Sequence, residues 1–316
     1  MAMMSARSEA YGVSHLTPVL TNPQRQHSPS PELPISMATS HFDEIELDWS
    51  PRERIIWSFM KPRATPAFTP TLLRELIGLR RMVEENLQEP VEAERGRYFV
   101  FGSRVPRIFN FGGDLRLFSE KIRNGDREGL RQYAYQCVEA VHSNLGEGLP
   151  IVSIALVQGD ALGGGFEAAL SFDVIIAERS AKFALPEILF NLFPGMGAYT
   201  LLTRRLDAMR AEKMILSGQT YSAQDLHDMG LVDVVAEDGE GVQAVERYIA
   251  ATSRTYEARR ALFAVRKRVA GPALRELQDV TDIWVDTAMR LREEDLRRMA
   301  HLMAAQKRRL RNQAAA

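Results

Sequence analysis

From residue 42 onward the apolar positions fall into two rhythms: short β-branched or aromatic runs, and longer stretches that repeat at helical spacing. Residues 42–49 and 54–60 read as two strands, and Ser50-Pro51 between them is a hairpin signal. Residues 72–87 repeat at helical spacing with Pro70 near the start, which predicts a helix. Residues 98–101 predict a buried strand, and residues 115–122 and 130–145 predict helices. The run 151–157 is short, β-branched and apolar but for Ser153, so it predicts a central strand. A glycine-rich turn and a short helix follow, then strands over 173–177 and 182–184. Strand and helix patterns alternating in this way imply βαβ units and a layered α/β fold. After about Asp238 the strands stop, and residues 242–253, 256–269 and 273–311 carry helical patterns. Helices of this kind cannot bury an apolar stripe alone. They must fold back on the core, cover a pocket or pack on another subunit.

Residues 1–41 differ from the rest. The segment His27-Ser28-Pro29-Ser30-Pro31-Glu32-Leu33-Pro34 has neither period, which predicts a disordered or loosely packed tail. The expected organisation is therefore a tail over 1–41, a catalytic core over 42–250 and a helical C-terminal region over 251–316. Composition narrows the class. The chain has 316 residues, 45% hydrophobic and 26% charged, enough to bury a large core without staples. Forty Lys and Arg balance 41 Asp and Glu, which argues against a nucleic-acid-coating protein. Cys137 stands alone, so an internal disulfide is excluded. The six histidines show no metal-ligand spacing, and no metal is expected. The sequence shows neither a membrane-length apolar run nor a secretory h-region, so a cytoplasmic protein is expected.

Three segments could carry chemistry. Ala161-Leu162-Gly163-Gly164-Gly165-Phe166-Glu167 follows the central strand and opens a helix. Its glycines permit a tight turn, and the first helical N–H groups lack intrahelical partners, so developing negative oxygen charge could be held there. A tight turn that needs small residues explains the same glycines. Glu167 and Glu187 both sit beside apolar neighbours. Apolar surroundings raise a carboxyl pKa toward useful acid–base values, although a glutamate at a helix start also satisfies the dipole. Ile108-Phe109-Asn110-Phe111-Gly112-Gly113-Asp114-Leu115 joins a strand to a helix through glycine, with Asp114 placed to cap that helix.

Together these segments resemble the crotonase (enoyl-CoA hydratase/isomerase) superfamily. The shared pattern is Gly112-Gly113-Asp114-Leu115, Ala161 to Gly165 with Glu167, Pro186-Glu187 and Pro194-Gly195-Met196-Gly197. Ser217-Gly218 with Tyr221-Ser222-Ala223, and Met229 to Asp233, also look like the family's downstream stretch. The resemblance implies a spiral of ββα units with a helical C-terminal region, commonly assembled as a homotrimer or a dimer of trimers. It implies an oxyanion hole from the backbone N–H groups of Phe111 and Gly164, and Glu167 with Glu187 as the general acid–base pair. Gly112, Gly113, Gly163, Gly195 and Met196 would contact substrate, and no cofactor is needed beyond the carrier of the acyl group.

A narrower likeness is to the diffusible signal factor synthases. It rests on Asn110 to Leu115, Val157-Gln158-Gly159, Phe193 to Tyr199 and Ile283 to Met289. This implies dehydration of a 3-hydroxyacyl-carrier protein and hydrolysis of the thioester, releasing a cis-2-unsaturated fatty acid for quorum sensing. Trp284 and Leu302 would then line the acyl pocket, acyl carrier protein would be a partner and a sensor kinase a regulator. Lys61 and Arg63 would suit the carrier phosphate, and Phe166 after the third glycine would shape the pocket. The alternatives are an enoyl-CoA hydratase of fatty-acid metabolism and a non-catalytic crotonase-fold regulatory subunit.

Overall fold

The computed structural model describes residues 41–87, 96–145 and 150–314. The expected tail lies almost wholly outside these residues. β1 (Ile45–Ser50) and β2 (Ile55–Met60) form the anticipated hairpin, with Ile45 opposite Met60 and Ser50 opposite Ile55. α1 (Pro70–Asn86) begins where the Thr69 side chain accepts the Leu72 N–H, with Pro70 in the first turn.

Three units then repeat one plan. In the first, β3 (Tyr98–Ser103) and β4 (Ile108–Asn110) lead into α2 (Leu115–Arg123) and α3 (Arg127–Leu145). In the second, β5 (Val152–Val157) and β6 (Asp160–Leu162) lead into α4 (Gly164–Leu170). In the third, β7 (Val174–Glu178) and β8 (Lys182–Ala184) lead into a 3-10 turn over Pro186–Phe190. The first strand of each unit enters a six-stranded sheet of order β1-β2-β3-β5-β7-β10. The second enters a four-stranded sheet of order β4-β6-β8-β9. β9 is Thr220–Ser222 and β10 is Val234–Ala236. Between the two β pairings, α5 (Ala198–Arg205), α6 (Ala208–Ser217) and α7 (Ala223–Asp228) complete the middle of the chain. This α/β spiral of ββα units places the end of each second strand at one place, where the loops of three units meet.

β5 lies between β3 and β7, and every one of its residues is buried. A strand covered on both faces has no polar alternation, which is why its sequence is apolar but for Ser153, whose hydroxyl donates to the buried Asp173 carboxylate. One face packs on α1, α3 and α4 through residues such as Leu72, Leu79, Val141 and Phe166. The other packs on α8 (Gly241–Thr252) and Tyr256 at the start of α9 (Tyr256–Ala270). The Tyr256 hydroxyl donates to the carbonyls of Arg97 and Pro150, tying α9 to two strand entrances.

The helical pattern over 273–311 is two helices, α10 (Leu274–Ala288) and α11 (Glu293–Ala314). Asp295 accepts the Arg292 N–H at 3.0 Å, so a polar side chain opens the second helix after the break. Both fold back on the core. Trp284, Val285, Leu296 and Met299 join Ile122, Leu130, Ala134 and Phe190 in one apolar cluster. Ion pairs follow the same seam: Arg127–Asp286, Arg131–Asp282, Arg123–Glu293 and Arg309–Asp160. No helix among the described residues is long and apolar enough to cross a membrane.

Candidate active site

The site is assembled from the corresponding loop of each unit. After β4, residues 111–114 turn sharply, with Gly112 at φ +91°. The N–H of Phe111 donates to the Pro66 carbonyl at 2.7 Å. The N–H of Gly112 donates to Asn110 Oδ1 at 2.7 Å, and that of Asp114 to the Tyr133 hydroxyl at 3.0 Å. The Asp114 carboxylate caps α2 by accepting from Arg116 and Leu117. Among the described residues the Gly113 N–H has no acceptor, which leaves it as the free donor of this turn.

After β6, Gly163 adopts φ +50° and Gly164 opens α4 with an N–H that no intrahelical carbonyl can reach. The two turns are in backbone contact. A Cβ on Gly112 would lie 2.7 Å from the Gly164 nitrogen, and one on Gly164 would lie 3.4 Å from the Gly113 nitrogen. The close approach therefore sets the N–H groups of Gly113 and Gly164 side by side. The expectation that Phe111 supplies the first donor is corrected by this geometry, since Phe111 N–H is already committed to Pro66.

Glu167 projects from α4 and is 1% exposed. One oxygen, Oε1, accepts the N–H groups of Met196 at 2.7 Å and Ala198 at 2.9 Å. Glu187 stands in the 3-10 turn, and its buried Oε2 has no hydrogen-bond partner among the described residues. A Cβ on Gly163 would come within 2.3 Å of Glu187 Oε1, so glycine is what lets this carboxyl rest against the turn. Burial raises both carboxyl pKa values. For Glu167 the two N–H donors pull in the opposite direction, while Glu187 also faces the charge of Glu167 and rises further. The pair is thus split into a more readily ionised Glu167 and a Glu187 that keeps its proton.

These groups line one cavity. Of the expected residues it brings together Phe111, Gly113, Gly163, Gly164, Glu167, Glu187, Gly195, Met196, Trp284 and Leu302. Gly112 lies behind the surface as the packed corner of the turn. The Trp284 indole packs edge-on against Phe118 at 5.1 Å, and Gly195 leaves room for it, since a Cβ there would be 2.6 Å from the ring. Lys61 and Arg63 do not line this cavity, and Arg63 pairs with Asp43 on the surface at 2.5 Å. Phe166 is wholly buried in the core against Phe183 rather than facing the cavity.

Sequence reasoning missed Tyr133. Its hydroxyl accepts from Asp114 N–H and donates to the Phe68 carbonyl, so it fixes the turn that carries Gly113. Its only signal in the sequence was an apolar helix position. Tyr133→Phe is expected to cost about 1–2 kcal/mol of stability through the unpaired Asp114 N–H. Denaturant unfolding of the two proteins checks this, and an unchanged midpoint would refute it.

Comparison with known proteins places these features in a family context. The family described as enoyl-CoA hydratase/isomerase matches residues 56–313. A probable enoyl-CoA hydratase, echA8, of Mycobacterium leprae is 30% identical over 199 residues, covering 62% of this chain and 71% of that protein. A probable enoyl-CoA hydratase of Bacillus subtilis is 32% identical over 160 residues, covering 50% of this chain and 60% of its own length. The crystal structure of an enoyl-CoA hydratase from Bacillus halodurans shares the fold, with a TM-score of 0.68 at 20% identity, covering 82% of this chain and all of that one. The structure of DspI from Pseudomonas aeruginosa matches with a TM-score of 0.59 at 27% identity, covering 74% and 86%.

Proposed function

Because the chain belongs to the enoyl-CoA hydratase/isomerase family, we propose that it moves water across the C2–C3 bond of an acyl thioester, with Glu167 and Glu187 as the proton-transfer pair. The observation that carries this reading is the unequal hydrogen bonding of two buried carboxyls in one apolar cavity. In the hydration direction Glu167 takes a proton from water as its oxygen attacks C3. The charge that moves onto the thioester oxygen is held by the N–H groups of Gly113 and Gly164. Glu187 then gives its proton to C2. Dehydration runs the same path backwards, with Glu187 taking the C2 proton and Glu167 returning one to the departing hydroxyl.

The finer reading is dehydration of a 3-hydroxyacyl-carrier protein to a cis-2-enoyl form, followed by hydrolysis to the free acid. The motifs shared with the diffusible signal factor synthases support it, as does the match to DspI. Hydrolysis would use the same N–H pair, with water adding to the thioester carbon and the carrier thiol leaving. The likeness to the probable enoyl-CoA hydratases of Mycobacterium leprae and Bacillus subtilis favours the plainer reading, a hydratase working on coenzyme A esters. Incubation with a 3-hydroxyacyl-carrier protein and extraction of lipid separates the two. Free cis-2-enoic acid is the expected product. An equilibrium of trans-2-enoyl and 3-hydroxyacyl thioesters without free acid selects the hydratase.

The carboxyl environments also fix a pH dependence. Hydration needs Glu167 ionised, and its pKa is raised above the ordinary 4.5 by burial. The acidic limb of kcat/KM therefore lies above the usual glutamate range, and Glu167→Gln removes that limb together with most of the activity. A wild-type limb at or below the ordinary value would contradict the assignment.

A further inference from the structure

Two residues lining the catalytic cavity carry a buried polar atom with no hydrogen-bond partner among the described residues: Oε2 of Glu187 and the indole Nε1 of Trp284. The first belongs to the reaction already described. The second does not. Trp284 is 3% exposed, and a buried N–H without an acceptor carries a desolvation cost that an apolar ring avoids. A hydrocarbon chain lying against the indole offers no acceptor and leaves that cost in place.

The placement of the ring decides which groups lie near that N–H. A Cβ on Gly195 would be 2.6 Å from Cδ1 and Cγ of Trp284 and 2.8 Å from Cδ2. These atoms belong to the five-membered ring, and Cδ1 is bonded to Nε1. The N–H half of the indole therefore stands against Gly195, the residue before Met196. The Met196 N–H in turn donates to Glu167 Oε1 at 2.7 Å. The ring is held in this position. Phe118 packs on it edge-on, and Thr281, three residues earlier on α10, donates to the Gly195 carbonyl at 3.3 Å. The pairs Arg131–Asp282 and Arg127–Asp286 fasten α10 to α3 on either side of Trp284. A neutral donor is thus fixed on the Glu167 side of the cavity.

We infer that the Trp284 N–H donates to the oxygen at C3 of the substrate: the attacking water in hydration, the 3-hydroxyl in dehydration. The inference rests on the acyl-thioester reading above. The valences of that oxygen leave room for it. A water attacking C3 uses one lone pair for the new bond and gives one hydrogen to Glu167. Its second lone pair accepts the indole N–H, and its second hydrogen is left for Glu187 Oε2, the other unpartnered atom. In dehydration the C3–O electron pair moves onto oxygen as Glu167 supplies the proton, and a fixed donor favours the charge that develops there. The indole only donates, so it holds the oxygen without competing with either glutamate for a proton. Trp284 thereby discriminates between an acyl group with an oxygen at C3 and the same chain without one.

Trp284→Phe keeps an aromatic ring and removes the donor. Two quantities are compared in the wild type and the variant. One is kcat/KM for dehydration of a 3-hydroxyoctanoyl thioester, offered on coenzyme A and on a carrier protein. The other is the inhibition constant of octanoyl-CoA, which lacks the oxygen. The variant should lose about tenfold or more in kcat/KM while the inhibition constant stays within about twofold. Equal losses on both would make Trp284 an apolar wall, and overturn the inference while leaving the reaction reading standing. A wild-type protein that dehydrates neither thioester overturns both. If the variant does not fold, the indole N–H proton resonances of the native protein give the answer. Of its three tryptophans only Trp284 lines the cavity. One resonance should shift with 3-hydroxyoctanoyl-CoA and not with octanoyl-CoA, and the absence of such a difference overturns the inference.

Discussion

Glu187→Gln is expected to lower kcat by about 10²–10⁴-fold, the range that a positioned acid–base group contributes. Gln matches the shape of the protonated carboxyl but can neither release nor recover a proton. The fold should survive, because the buried Oε2 makes no hydrogen bond among the described residues that Gln would break. Stability carries a second signature. The folded protein raises the Glu187 pKa above 4.5, so it binds that proton more tightly than the unfolded chain does. The carboxyl's favourable contribution is complete below the unfolded value and is lost as pH rises through the folded one. The Gln variant has no such loss, so it should match the wild type in acid and exceed it in alkali. Melting temperature measured against pH in both proteins gives the comparison, alongside turnover. A variant with full activity would remove Glu187 from the chemistry.

Gly112→Ala is the second large effect. At φ +91° an L side chain is strained, and here the new Cβ would sit 2.7 Å from the Gly164 nitrogen and 2.8 Å from the Leu162 carbonyl oxygen. Both obstacles are backbone, so no rotamer change relieves them. The two turns must separate, and with them the N–H groups of Gly113 and Gly164. We expect about 1–3 kcal/mol of lost stability from strain, and a fall in kcat of about 10²–10³-fold from the misplaced donors. Gly230 supplies the control. It has φ +78° but nothing within 4 Å of a Cβ, so Gly230→Ala should bear strain and keep its activity. Equal kinetic losses in the two variants would refute the role given to the turn.

The large sheet was legible because its strands are buried on both faces or pair as a hairpin. Residues 54–60, 98–101 and 151–157 carry no competing helical period. The second sheet was largely hidden. β4, β6 and β9 are three residues each, too short for any two-residue alternation to declare itself, and the same holds for β10 at the edge of the large sheet. α5, α6 and α7 lie in a stretch whose turns and helices alternate too quickly for a single period to show. The two glutamates and the glycine turns were visible as motifs, and the structure places them around one cavity. The identity of the first oxyanion donor was not visible. It depends on which of four consecutive N–H groups is left over after Pro66, Asn110 and Tyr133 have taken theirs, and those partners are distant or internal to the loop. Nor could the sequence show that residues 289–292 interrupt the last helical pattern, because the polar residues there continue the surface face of either helix.

Cys137 lines the same cavity as the glutamates. On the proposed reaction, that cavity holds a C2–C3 double bond conjugated to a thioester, an electrophile that thiolates attack at C3. Burial, aided by the negative charge of Glu167, pushes the Cys137 thiol up to about 12. At neutral pH about one such thiol in 10⁵ is ionised. On that reading, the dry wall that holds the proton on Glu187 also holds it on the chain's lone sulfhydryl, and so would guard the chain against alkylation by the molecule bound beside it.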